Sequence, residues 1–311
     1  MNERNKTVVT FFILNGFSDI PEYEAPISLL IVLVYLTTVV GNIVILLLVC
    51  LDSHLHTPMY FFLGNLSVLD ICYTTVALHK SIDMFITRDN EVSFIDCMAQ
   101  LYFFTWFGCN DLMLLTSMGY DRYVAICKPL HFSTLMNGRV CAGLATFCWV
   151  FSFLHILPAV TLISQFSCYS SNIIDHFFCD LLPLLEFSCS DTFIVKMVIF
   201  IDGGSLAVFT PFFLTFTSYV FIIATIMKIK SSTGRRKAFY TCSSHLTSVL
   251  ILYASIISQY LTPSGTFMSS KLLSLFNSAV VPMLNPFIYS LRNKDVKSAI
   301  QKKLKNVMNI L

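Results

Sequence analysis

Polar and charged residues gather between long apolar runs in this chain. Runs free or nearly free of charge occupy about 25–51, 57–79, 97–120, 140–163, 197–227, 238–262 and 272–291. Each is long enough for the roughly 20 residues a helix needs to cross the hydrocarbon core of a bilayer. The pattern therefore predicts an all-α membrane protein, a bundle of seven spanning helices. Only the second, third and fifth runs contain an aspartate, namely Asp70, Asp111 and Asp202. The segments between runs are too short for a separate globular domain. The expected layout is an N-terminal segment 1–24, a membrane domain 25–291 and a tail 292–311. In the tail Val296, Ala299, Ile300, Leu304 and Val307 recur at helical intervals among lysines, the mark of an amphipathic helix lying on a lipid surface.

Composition strengthens this picture. The chain is 56% hydrophobic and 12% charged, against about 25% charged in soluble domains. A net charge of +2 offers no nucleic-acid surface. The placement of charge says more than its sum. Fourteen of the twenty basic residues, Arg122 and the clusters at 128–139, 228–237 and 292–305, fall on one side of the predicted spans; Arg4, Lys6, Lys80, Arg88, Lys196 and Lys271 fall on the other. The positive-inside rule then places the N-terminus outside and the tail in the cytoplasm, as an odd number of spans requires. The opening "MNERNKTVVTFF" lacks the apolar core and cleavage site of a signal peptide, so the first span is expected to act as an uncleaved start signal. Asn5-Lys6-Thr7 is a glycosylation acceptor on that outer side.

Of eleven cysteines, Cys97, Cys168, Cys179 and Cys189 lie at or beyond the outer face, where oxidation is possible. Four cysteines allow three pairings, and spacing alone selects none. No CxxC or Cys/His metal spacing is present, so zinc is not expected. His155 and His245 lie in different spans and form no metal-ligand motif, which leaves an enzyme reading without support.

Three features carry candidate chemistry. Asp121, Arg122 and Tyr123 end the third span at the inner boundary, where an arginine can snorkel as an anchor or serve a switch. Asp70 and Asp111 lie mid-span, where an unpaired carboxylate costs at least ~2.5 kcal/mol. Both should face the interior as neutral hydrogen-bonded acids or around a cation. Asp202 either meets polar groups at the outer interface or points inward.

The segments "LHTPMYFFLGNLSVLD" (55–70), "MGYDRYVAICKPLHF" (118–132), "KAFYTCSSHLTSVLILY" (237–253) and "PMLNPFIYSLRNKDVK" (282–297), with Gly41-Asn42 and the long loop "FSCYSSNIIDHFFCDLLPLLEFSC" (166–189), resemble the signature segments of odorant receptors. These form a branch of the rhodopsin-like G-protein-coupled receptors, and the resemblance covers essentially the whole chain. It implies a multi-pass receptor of the plasma membrane that binds a small volatile ligand. Its partners would be membrane lipid and a heterotrimeric G protein of the olfactory stimulatory type, which raises cyclic AMP. By the same resemblance Asp121 restrains Arg122 at rest, and Tyr219, Asn285, Pro286 and Tyr289 complete the switch; the tyrosines have an alternative reading as interface aromatics. Pro286 removes a helix hydrogen bond and permits a bend. A sodium ion would sit at Asp70 and Asp111, although many relatives carry a glutamate where this chain has Asp111. Cys97 would pair with Cys179 and Cys168 with Cys189.

The resemblance places the pocket at Phe104, Thr105 and Gly108 in the third helix, Gly204 and Ala207 in the fifth, Ile256, Ile257 and Tyr260 in the sixth, and Leu275 and Ser278 in the seventh. The same stripes have a plain helix-packing reading. Phe104 stands where amine receptors carry an aspartate, so a neutral, mostly hydrophobic ligand is expected. The basic stretch "KIKSSTGRRKAF" (228–239) is expected to form a flexible Ser-Ser-Thr-Gly turn and then a basic cluster that anchors to lipid or flanks the G protein. The competing class is a transporter or channel using Asp70, Asp111 and Asp202, but the halves show no repeat and no matched pair of broken helices.

Overall fold

The structure is a computed structural model and describes residues 9–17, 21–166, 168–261, 267–292 and 294–308. Its long helices are α1 (Pro21–Leu51), α2 (Pro58–Thr87), α3 (Phe94–Cys127), α4 (Gly138–Ser164), α5 (Phe193–Lys228) and α6 (Ser232–Leu261). The seventh, α7, runs through Phe267–Leu275, Phe276–Val280 and Val281–Arg292, and α8 (Lys294–Met308) follows it. The chain is a seven-transmembrane helix bundle with a short amphipathic helix after the last span.

Apolar side chains such as Leu29, Leu33, Leu36, Phe213 and Phe216 are exposed along α1 and α5, as a bilayer solvent requires. By contrast α3 carries polar residues within its span, Gln100, Asn110 and Asp111. It survives in a membrane because α2, α4, α5 and α6 all pack around it and shield those groups from lipid. Its N-terminus is fixed by a reciprocal cap. Ser93 Oγ accepts from the Asp96 N–H at 3.1 Å and donates to the Asp96 carboxylate at 2.6 Å. In α4 the cap is Asn137, whose side chain accepts from Arg139 and Val140.

Two helices are locally unwound into π-turns, Ile199–Phe209 in α5 and Phe276–Val280 in α7. Such turns shift the register of everything beyond them and are common at functional sites. The expected Ser-Ser-Thr-Gly turn is instead the start of a helix. Ser231 caps it, accepting from Gly234 N–H at 3.2 Å through Oγ and from Arg235 N–H at 2.9 Å through its carbonyl, so α6 begins at Ser232.

One end of the bundle carries a small sheet that the helical pattern did not foretell. Strand β1 (Phe11–Leu14) pairs antiparallel with β2 (Glu91–Ser93) and parallel with β3 (Ile173–Ile174). Phe12 and Leu14 bury against Val92, Met98, Leu101, Ile174 and Cys179, which makes the strand and the long loop a single lid over the helices. The opposite end carries the basic residues and α8, whose Val296 and Ala299 are buried in the main core. The side chains of Leu304 and Val307 lie outside the described residues, as does Asn5.

Candidate functional site

Beneath the lid, the Phe104 ring lies 4.9 Å from Tyr73 of α2 and 4.6 Å from Phe178 of the lid loop, centroid to centroid. Gly108 faces the same tyrosine; a Cβ there would come within 3.8 Å of the Tyr73 ring. Leu275 packs into the cluster of Phe177, Phe178 and Ala279. Thr105 and Ser278 donate their hydroxyls to the carbonyls of Leu101 and Ser274, each at 2.7 Å, which leaves their oxygens able to accept from a ligand. A Cβ at Gly204 would meet nothing within 4 Å, so that turn of α5 fronts open space. Ile256 packs on the main core.

Two expected pocket residues sit elsewhere. Ile257 is 50% exposed on the outer face of α6, because helical spacing turns it away from its neighbour Ile256. Ala207 is buried with Cys109 and Ile156 in the seam of α3, α4 and α5, since the π-turn rotates this part of α5 toward α4. The side chain of Tyr260 lies outside the described residues. Asp202 turns inward toward the seam of α3, α4 and α5, within electrostatic reach of Cys109. Its carboxylate and its carbonyl each lie 3.1 Å from His155 Nε2, which ties the π-turn of α5 to α4.

The lid is anchored by the Cys97–Cys179 disulfide. Beside it Gln100 donates to the Val76 carbonyl at 2.8 Å and accepts from the Cys179 N–H at 2.9 Å. The pair Cys168 and Cys189 is brought face to face, with Cys189 N–H donating to the Cys168 carbonyl at 3.0 Å and Tyr169 bridging to Ser188. That backbone pairing holds the two expected partners of the second disulfide side by side. Lys271, 1% exposed, forms an ion pair with Asp175, and Asn15 donates to the same carboxylate at 3.3 Å. His176 stacks between Phe177 and Phe178 with neither ring nitrogen partnered; burial, then the nearby Lys271 charge, lowers its pKa to about 3.

At mid-depth, Asn285 donates to both oxygens of Asp70, at 3.0 and 3.3 Å. Asp111 lies within electrostatic reach of Asp70, and its Oδ1 is buried without a hydrogen-bond partner. Thr74 Oγ1, the Asn110 amide and the Tyr253 hydroxyl are orphaned in the same way on the same group of helices. Orphaned buried polar atoms call for water or an ion. Among the described residues no three His, Cys, Asp or Glu converge on a metal site.

At the basic end Asp121, 0% exposed, accepts from Arg122 Nε at 2.9 Å and from its Nη2. Tyr219 lies across the bundle on α5, and its hydroxyl is 2.7 Å from Nδ1 of His245 on α6. His245 Nε2 is 2.9 Å from the Leu115 carbonyl of α3. A carbonyl only accepts, so Nε2 carries the proton and Nδ1 accepts from Tyr219. Tyr289, 1% exposed, lies within electrostatic reach of Asp70 and Asp111 on one side and Arg122 on the other. Of the residues the sequence singled out, Tyr219 and Tyr289 both lie within electrostatic reach of Arg122. Sequence spacing missed His245, whose signal was a polar residue inside an apolar run, and it missed the network that links Ser255 and Gln259 of α6 to Asn277 of α7.

A family model described as olfactory receptor matches residues 31–307. The chain is 45% identical over 304 residues to olfactory receptor 1E16 of Mus musculus, covering 97% of this chain and 96% of that relative. It is 44% identical over 306 residues to olfactory receptor 6C3 of Homo sapiens, covering 98% of each. In fold it is similar to squid rhodopsin, with a TM-score of 0.70 at 18% identity over 91% of this chain and 80% of that one.

Proposed function

This chain belongs to the olfactory receptor family, and from that premise we propose that it binds a small, neutral, mostly hydrophobic odorant beneath the lid and activates a stimulatory olfactory-type G protein, raising cyclic AMP. The family is one of G-protein-coupled receptors in the plasma membrane and not of enzymes. The observation that carries the ligand class is the wall around Gly108, where Phe104, Tyr73, Phe178 and Leu275 supply apolar surface. The hydroxyl oxygens of Thr105 and Ser278 and the Tyr73 hydroxyl, 4.0 Å from where a Gly108 Cβ would stand, supply uncharged polar groups. The basic clusters on the α8 end favour a cytoplasmic tail and an extracellular lid. Arg122 would leave Asp121 on activation and meet the G protein near Tyr219 and Tyr289.

Gly108→Leu tests the pocket. The added side chain should enter the space before Tyr73 and remove responses to the larger members of a volatile panel while sparing smaller ones, at unchanged surface level. Equal loss for agonists of every size would point to a damaged helix contact, and no loss would remove Gly108 from the pocket.

Asp70 and Asp111 would hold sodium in the resting state, a role consistent with the orphaned Asp111 oxygen. A cation bound only by that state shifts the population toward it. Raising sodium at constant ionic strength should therefore lower agonist potency, and Asp70→Asn should abolish that dependence. A parent receptor indifferent to sodium would favour a pair of neutral acids.

A further inference from the structure

A cavity of about 240 Å³ opens at the lid end, between the turn after β1, the start of α1, the end of α2 and Phe177. We propose that it is a second small-molecule site, a vestibule for a neutral, odorant-sized amphipath, separate from the pocket around Gly108; its effect on that pocket rests on the proposed function.

The cavity is made by two left-handed backbone positions. Gly16, at φ +55°, turns the chain so tightly over α2 that a Cβ there would stand 3.3 Å from Met84 Cε. Arg88, at φ 62°, ends α2 with its N–H donating to the Met84 carbonyl at 3.0 Å. A non-glycine residue in this conformation costs about 1 kcal/mol, and the turn directs Arg88 to Glu24 of α1.

Phe17, Ile31, Met84, Phe85 and Phe177 give the cavity apolar walls, while Ser28 and Asn90 give it uncharged polar groups. The only ion pair at its rim joins Arg88 and Glu24, among the described residues lining it. Because the two charges neutralise each other, an anionic ligand would have to displace Glu24 and a cationic one would face Arg88. A neutral molecule with one hydroxyl or carbonyl faces neither penalty. The side chains of Arg88 and Glu24 are 67% and 34% exposed. A largely exposed pair of this kind is weak, so it opens readily and does not seal the entrance.

The position also gives the site a consequence. Phe17 stacks on Phe177 at 5.8 Å, Phe177 meets Phe178 at 4.9 Å, and Phe178 meets Phe104 at 4.6 Å. Ser81 holds this loop by donating to the Phe177 carbonyl at 2.8 Å. A molecule in the vestibule thus touches the first ring of a continuous aromatic chain whose last ring lines the bundle pocket. It would be captured there on its way inward or would bias the pocket through Phe177.

The full chain in lipid nanodiscs, photolabelled with an aliphatic alcohol bearing a diazirine and mapped by mass spectrometry, tests this. Labelling of the peptides holding Met84–Phe85 and Phe177 should saturate and should be displaced by excess 1-octanol. Ser28→Phe, which places a ring in the cavity, should weaken that labelling about tenfold, the loss that ~1.4 kcal/mol represents. Labelling at Thr105–Gly108 reports the bundle pocket separately and should persist in the variant. Labelling at Met84 and Phe177 that never saturates, or that survives Ser28→Phe in a folded protein, would overturn the site. Displacement by octanoate in preference to 1-octanol would overturn the neutral ligand class. If Ser28→Phe does not fold, saturation and competition in the parent decide alone.

Discussion

Under the lid, Phe104 meets Tyr73 and Phe178 through ring faces and edges, and the loop above is tied down by the Cys97–Cys179 bond. At the basic end, Arg122 meets Asp121, and Tyr219 meets His245, through hydrogen bonds of 2.9 and 2.7 Å. Apolar and aromatic contacts weaken gradually as shapes shift, so this end tolerates small rearrangements. Hydrogen bonds, and the charge-assisted Arg122–Asp121 one above all, weaken steeply with distance and angle, so they suit two discrete states. The layer between, with Asp70 on Asn285 and Asp111 Oδ1 orphaned, has polar groups enough to be rearranged by either end. Coupling through such a layer needs a rearrangement that both ends bias.

The sharpest way to break this contrast is at Arg122. Arg122→Ala should abolish agonist-driven cyclic-AMP production while the protein still reaches the cell surface, because the residue makes no contact with the lid. Normal signalling from that variant would reduce Asp121–Arg122 to a membrane anchor and leave the two ends alike.

The converse experiment removes the lid's covalent tie. Cys97→Ser should cost about 2–5 kcal/mol of stability, the usual range for a native disulfide, and lower both the melting temperature and the surface level. The fraction that does reach the surface should keep its basal G-protein activity. Unchanged thermal stability would show that Gln100 and the β1–β3 sheet hold the lid without the bond.

The two ends also differed in how far they could be read from sequence. The seven helices were legible because each needs a long uncharged run, and α8 because Val296, Ala299 and Ile300 stand against lysines. The inward placement of Tyr219 and Tyr289 was legible because hydroxyls inside lipid have few places to go. On α6 the residues expected to face the bundle, Ile256 and Ile257, are as apolar as lipid-facing ones, so polarity does not tell them apart, and Ile257 lies exposed. The π-turns hid the register of α5, and with it the placement of Ala207 beside Ile156. The pairing of Asp202 with His155 was hidden because it depends on which helices are neighbours, and periodicity within one helix does not encode that. Strand β1 is only four residues long and borrows its partners from two distant loops, so nothing local marks it.

The smallest expected effect lies in how the lid answers acid, and His176 carries it. Closed, this histidine has a pKa of about 3 against an ordinary 6.5, because burial and then Lys271 disfavour its charged form. The opened loop takes up a proton between those values and the closed loop does not. Its contribution to closure is therefore fully present above about pH 6.5 and is lost as pH falls toward 3. Between pH 7.4 and 5.5 the loss is roughly 1–1.5 kcal/mol. Asp180, in the same loop, works in the opposite direction. Burial raises its pKa to about 6 from 3.8, so the closed form binds its proton more readily and gains as pH falls through that window. The parent lid should thus change little overall, because the two groups partly cancel. His176→Leu keeps the packing between Phe177 and Phe178 and removes one of them, so the variant's lid should become more protected on going from pH 7.4 to 5.5. Amide exchange of the loop, corrected for intrinsic rates, reads the difference directly. Parallel pH profiles in parent and variant would mean that the imidazole meets water in the closed state, and the lid would then be wetter than its ring contacts imply.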